Sequence, residues 1–279
     1  MACDPASPFF RSQDLRILVT NDDGIYAEGL WALARSLQDV GDVHVVAPDR
    51  DQSGIGTAKT LLTIIRSQEV PPPVDGVPTY SVQGTPTDCV ILAVESLFSE
   101  PFDLLVSGIN AGANMGVDLF SSGTFAAALY GRSRDIPSMA VSVSSLTEVK
   151  YDVAAQVART LARRLLENPA LSPPLLNVNL PNTDRDGVKG VQVTQLAPKA
   201  WSEGVEIGHD SRRRTYYWIR YNKPPPEAPP EGTDVWAILN DRVSITPIDL
   251  NATNGASPDG LHELAAVVTA TLGLPDAKE

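Results

Sequence analysis

Short aliphatic runs that stop at polar turns alternate along this chain with stretches whose apolar residues recur every three or four positions. That alternation predicts strands and helices in turn, and so a layered α/β fold. The first run, Arg16-Ile-Leu-Val-Thr20, ends in Asn21-Asp22-Asp23-Gly24 and reads as a buried strand followed by a polar turn. Leu30, Leu33, Ala34 and Leu37 repeat at helical spacing over 28–37, and Val43 to Ala47 forms a second buried strand before Pro48.

After a polar, Gly-rich loop over 49–57, the runs Leu61 to Arg66 and Thr79 to Val82, separated by a Pro-rich turn, read as a hairpin excursion. Thr85 and Pro86 fit an N-cap and first helical position, with Val90, Leu92, Ala93, Val94 and Leu97 on the buried side. Strands are expected at Leu104 to Ser107, Met139 to Val143 and Leu175 to Asn179, and helices at Gly123 to Gly131 and Tyr151 to Leu166. The expected fold class is therefore Rossmann-like α/β, a doubly wound, mostly parallel sheet.

Beyond Pro181 the pattern turns to strands and turns: Val188 to Thr194, the run Thr215 to Tyr221, and a Pro-rich connector over 224–230. A protruding C-terminal β-rich arm, about 185–239, would account for it. Val243 to Pro247 returns as a strand, and Asp259 to Leu272 reads as a closing helix. At 279 residues the chain is long enough for one large elaborated domain, with its core at about 14–181 and 240–272.

Charge narrows the partners. Lys and Arg number 22 against 34 Asp and Glu, a formal net charge of -12, which repels polyanions. The one dense basic run, Arg212-Arg213-Arg214, reads as a solvated loop, and duplex nucleic acid is not an expected partner. Cys3 and Cys89 suggest neither a disulfide framework nor thiolate–metal chemistry. Residues 1–13 lack the apolar run of a signal peptide and no stretch is long and apolar enough to span a bilayer, so a cytoplasmic protein is expected.

Ligands of an open parallel sheet bind outside the carboxyl ends of its strands. Asp22 and Asp23 follow the first strand, Ser53 lies in the loop after the second, and Asn110 lies beyond Leu104 to Ser107, so all four are expected to face one crevice. Such an all-oxygen set suits a hard cation such as Mg2+, Mn2+ or Ca2+. Asp22-Asp23-Gly24 taken alone is equally a turn. A phospho-receiver domain would need a third Asp at the end of a later strand, where this chain has Ser107-Gly-Ile-Asn110. His44, His209 and His262 show no ligand spacing, and a deacetylase or glycosidase would need histidine ligands or a separated acid pair.

Two further segments bear on a ligand. Asn110 to Asp118 is rich in small and amide residues, which let backbone approach a ligand, although an ordinary Gly-rich turn has the same composition. Ser121-Ser122-Gly123-Thr124 opens a helix, where hydroxyls either cap the helix or, with the free N–H groups, bind an anion.

As an ordered set these segments resemble the SurE family of 5'/3'-nucleotidases. The blocks are Val19-Thr-Asn-Asp-Asp-Gly24, Ala47-Pro-Asp-Arg50 with Ser53-Gly54, Gly84-Thr-Pro-Thr-Asp-Cys89, Ser107-Gly-Ile-Asn-Ala-Gly112 and Ser122-Gly-Thr124. Tyr217-Trp218 and Ser244-Ile-Thr-Pro247 extend the likeness toward the end. The resemblance implies hydrolysis of nucleoside 5'- and 3'-monophosphates, with one divalent cation per subunit, Mg2+ or Mn2+, held by Asp22, Asp23, Ser53 and Asn110. It implies phosphate contact by Asn114, Ser122, Gly123 and Thr124, catalytic roles for Asp22, Asp23, Asn114 and Ser122, and a homodimer or homotetramer. Ser121 stands where the family commonly has Tyr, Gln52 where a basic residue is frequent and Ala113 where Pro is common, departures that bear on substrate preference. A catalytically silent nucleotide-binding or regulatory protein on the same fold is the competing reading.

Overall fold

The structure, a computed structural model, describes residues 15–168, 175–198, 202–223 and 228–249, together with 267 and 271. The chain divides into two compact units, Met1–Ile248 and Asp249–Glu279. In the second, Val267 and Thr271 are helical, and the rest of the predicted closing helix lies outside the described residues.

A nine-stranded sheet organises the first unit. Its strands are β1 (Arg16–Thr20), β2 (Asp42–Pro48), β3 (Ser67–Glu69), β4 (Thr79–Val82), β5 (Leu104–Ala111), β6 (Ser138–Val143), β7 (Leu175–Leu180), β8 (Gly190–Val193) and β11 (Arg242–Ile248). They lie in the order β3-β4-β2-β1-β5-β6-β7-β11-β8. The six strands from β4 to β7 in that order are mutually parallel, while β3 and β11 run antiparallel to β4 and β7. The predicted mostly parallel α/β sheet is thus present.

Side chains of a strand alternate between faces, and β1 serves both. Ile17 and Val19 pack with α1 (Glu28–Leu37) and α4 (Asp152–Glu167), whereas Leu18 packs with α2 (Pro86–Leu92) and α3 (Gly123–Arg132). The first helical face presents Leu30, Leu33 and Leu37, all fully buried, and the second presents Val90, Phe125 and Ala128. Helix α2 starts where Thr85 and Pro86 place it: Thr85 Oγ1 accepts from the Asp88 N–H (3.1 Å) and Asp88 Oδ2 accepts from the Thr85 N–H (2.9 Å), a reciprocal capping box.

Three expectations change. The run Leu61 to Arg66 is not a strand: Leu61, Leu62 and Ile64 are exposed, and their aliphatic composition had imitated burial. The strand that pairs antiparallel with β4 is the polar Ser67–Glu69, and β4 joins the main sheet beside β2. Within 185–239, β8 belongs to the main sheet and a helix, α5 (Asp234–Leu239), packs on β11. The separate two-stranded sheet consists only of β9 (Ser202–His209) and β10 (Thr215–Lys223). The connector expected over 224–230 lies partly outside the described residues.

Candidate active site

The strand order reverses at β1, which has β2 on one side and β5 on the other, so a crevice opens at the carboxyl ends of β1 and β5. Asp22 and Asp23 leave the end of β1 there, and Asn110 is the next-to-last residue of β5. The two adjoining loops are tied together by backbone: the Gln52 N–H donates to Asp22 O (2.8 Å) and the Ile25 N–H to Pro48 O (2.8 Å). Gly24, at φ 99°, makes the close turn between them; a Cβ there would sit 3.1 Å from the Arg50 carbonyl carbon. The Gly56 N–H reaches Ser121 O (2.9 Å), which holds the loop after β2 against the start of α3.

A cavity of about 510 Å³ occupies the crevice, lined by Asp22, Ser53, Asn110, Asn114 and Ser122, with Met115 and Leu146 among its apolar walls. Asp22 is nearly inaccessible, and the Thr124 hydroxyl donates to its Oδ1. Burial pushes the Asp22 carboxyl up, opposed by the hydrogen bonds from Thr124. Asp23 accepts from the Ala111 N–H (3.3 Å) and is pushed up to about 7, by burial first and by the charge of Asp22 second. Asp51 adds to both shifts.

Among the described residues no lysine or arginine pairs with either carboxylate, and no third His, Cys, Asp or Glu completes a metal-binding cluster with them. One buried and one half-buried carboxylate beside neutral oxygen donors, with no basic partner among the described residues, are the electrostatic complement of one small hard cation. The residues present fit such an ion.

The family profile described as Survival protein SurE matches residues 17–203. The chain belongs to the SurE family. It is 46% identical over 234 residues to the 5'-nucleotidase SurE of Dehalococcoides mccartyi, covering 83% of this chain and 88% of that one. The 5'-nucleotidase SurE of Halorhodospira halophila is 42% identical over 241 residues, 86% of this chain and 94% of the relative. The crystal structure of the SurE protein from Aquifex aeolicus superposes with a TM-score of 0.74 at 34% identity, covering 92% of this chain and 99% of that chain.

In this SurE chain the sequence-derived residues gather at one place but not in one role. Asp22, Ser53, Asn110, Asn114 and Ser122 line the cavity; Asp23, Gly123 and Thr124 do not. Thr124 is fully buried and its hydroxyl is directed at Asp22, so its side chain braces a carboxylate instead of facing a ligand. Gly123 passes close behind Asp22, where a Cβ would lie 2.8 Å from the Asp22 Cβ. Ser122 caps α3, its Oγ accepting from the Phe125 N–H (3.1 Å), and as a hydroxyl it keeps a proton to donate. Ser53 is exposed, and its N–H (2.7 Å) and hydroxyl (2.6 Å) both donate to Asp51 Oδ1.

Sequence reasoning missed Asp51, which sits between the motif residues Arg50 and Ser53 and carried no signal of its own. It also missed Asp234. That buried carboxylate, pushed up by burial, accepts from the N–H groups of Gly116 and Ala197 (2.8 Å each) and so fastens the loop after β5 to the last part of the sheet.

Proposed function

We propose that this chain is a divalent-metal-dependent phosphomonoesterase that hydrolyses nucleoside 5'- and 3'-monophosphates to nucleoside and phosphate. The observation that carries the reading is the Asp22–Asp23 pair, without a basic partner among the described residues, with the buried Asp22 at the wall of a cavity whose polar lining includes Ser53, Asn110, Asn114 and Ser122. Its relatives named 5'-nucleotidase SurE support the substrate class.

Lewis-acid polarisation of the phosphoryl group is what a single Mg2+ or Mn2+ supplies when held by Asp22, Asp23, Ser53 and Asn110. One of the two carboxylates orients the attacking water. Asn114 and Ser122 contribute donors to the phosphate: the Asn114 amide spends one N–H on Ser142 Oγ (2.9 Å) and keeps a second, and Ser122 keeps its hydroxyl proton. Donors fixed in place before reaction stabilise the charge that develops on the phosphoryl oxygens without reorganisation cost. Thr124 and Gly123 act from behind, setting the position of Asp22. No covalent nucleophile is required.

Among the described residues no helix is long and apolar enough to cross a membrane, and we read the protein as cytoplasmic. Val205, Ile207, Tyr217 and Ile219 on the β9–β10 hairpin are more than half exposed, which supports a homodimer or homotetramer that covers them.

The test is phosphate release from a panel of nucleoside 5'- and 3'-monophosphates, in EDTA and with added Mg2+ or Mn2+, for the wild type and Asp22→Asn. Metal-dependent release lost in the variant is the expected result. No release across the panel, with nucleotide binding retained, would replace the enzyme by a silent binder.

A further inference from the structure

From β5 across to β11 the sheet carries a row of buried polar side chains that the family motifs do not contain as a unit. Asn110 on β5 is in register with Ser142 on β6, Ser142 with Asn179 on β7, and Asn179 with Ser244 on β11. Two positions back along β7 is Asn177, on the same face by the twofold period of a strand. Asn177, Asn179, Ser142 and Ser244 are fully buried. Carboxamides in a sheet interior cost free energy unless hydrogen-bonded, so their partners show what they are for.

Those partners converge on one residue. Asn179 Oδ1 accepts from the Asn114 backbone N–H (2.9 Å), while Asn179 Nδ2 donates to the Asn114 carbonyl (2.9 Å). Asn177 Nδ2 donates to the same carbonyl (2.8 Å), and Ser142 Oγ accepts from the Asn114 side-chain amide. Both backbone polar groups of Asn114 are thus satisfied by side chains of β7, a substitute for strand pairing in a loop that has none. Two carboxamides fix the peptide, and the β6 hydroxyl fixes the rotamer. What remains is the second N–H of the Asn114 amide, on a residue that lines the cavity.

We propose that Asn179, assisted by Asn177, is a positioning residue of the hydrolytic site, which sets the place of Asn114 by clamping its backbone from the sheet. The clamp is independent of the catalytic reading; only its kinetic consequence rests on that reading. Misplacement of a transition-state donor by about an ångström is worth a large factor in rate, so loss of the clamp shows chiefly in kcat.

Asn179→Ala and Ser244→Ala separate positioning from packing. Ser244 stands beside Asn179 in the same buried row, and its hydroxyl meets Thr194 Oγ1 (2.7 Å) instead of Asn114. Both variants are measured for melting temperature, for amide hydrogen exchange over 112–118, and for kcat and KM well below melting. Asn179→Ala is expected to speed exchange at the Asn114 amide and to lower kcat by about tenfold or more with a smaller change in KM. Ser244→Ala is expected to stay within about twofold in kcat while losing stability. Equal kinetic losses in the two variants, or unchanged exchange at Asn114 in folded Asn179→Ala, would overturn the clamp. If Asn179→Ala does not fold, Asn177→Ala, which removes one of the two donors to the Asn114 carbonyl, is read the same way. Should the wild type release no phosphate from any nucleotide, the enzymatic reading fails by itself, and the exchange measurement still decides the clamp.

Discussion

Thr124 and Asp22 are 102 residues apart in sequence, yet the Thr124 hydroxyl donates directly to Asp22 Oδ1 in a fully closed environment. The bond joins the end of β1 to the first turn of α3. It directs the start of the helix, with its positive end, at a carboxylate of the protein itself, which offsets part of the cost of burying that charge. Asp22 is therefore oriented before any ligand arrives.

Replacing Asp22 by Asn keeps the volume and leaves an amide that can still meet Thr124. We expect the fold to survive, as judged by circular dichroism, and phosphate release to fall by about a hundredfold or more. Near-wild-type turnover at saturating Mg2+ or Mn2+ would remove Asp22 from the mechanism.

Burial and the neighbouring Asp22 raise Asp23 from the ordinary 3.8 to about 7. Between those values the folded chain holds a proton that the unfolded chain has lost, so stability falls as pH rises through the window and levels off above it. Melting temperature followed across the window in EDTA should decline with pH, and Asp23→Asn should flatten the decline. A rise with pH in the wild type would contradict the assignment.

Gly123 passes behind Asp22 with no room for a methyl group, the added Cβ falling 2.8 Å from the Asp22 Cβ and 3.1 Å from Pro86 Cγ. Gly123→Ala should cost about 1–3 kcal/mol in chemical denaturation and lower activity more than its stability loss accounts for. Activity equal to the wild type at a temperature where the variant is folded would show that Asp22 tolerates displacement.

Ser122 has a structural role that is independent of substrate. Ser122→Ala should lose about 1 kcal/mol for the α3 cap and reduce kcat by less than Asp22→Asn does. Urea melts and steady-state kinetics on the two variants give both numbers.

The first half of the fold was legible because its strands are buried on both faces and end in unmistakable polar turns: Arg16–Thr20 before Asn21-Asp22-Asp23, Asp42–Pro48 before a Gly-rich loop. Their ends located Asp22, Asp23 and Asn110 without any tertiary information. Failure came where the same cue was ambiguous. The Leu-Leu-Thr-Ile-Ile run at 61–65 has strand composition but lies largely at the surface. Asn177 and Asn179 are the opposite case, polar residues inside a strand whose partners are 63 and 65 residues away. Thr124 looked like a ligand contact because a helix start serves caps, anions and carboxylates alike, and only coordinates distinguish them.

The placement of β11 between β7 and β8 has a consequence for biosynthesis. β8 ends at Val193 and its parallel neighbour begins at Arg242, so a chain emerging from the ribosome carries β7 with an open edge, and β8 with no neighbour, until the intervening hairpin and α5 have been made. The strands whose carboxyl ends frame the rest of the crevice, β1, β2, β5 and β6, can pair before then. Half of the crevice is thus assembled early, while the clamp strand β7 gains its second neighbour only when β11 arrives. Exposed strand edges invite mispairing, and here the exposure lasts for the synthesis of the segment between β8 and β11.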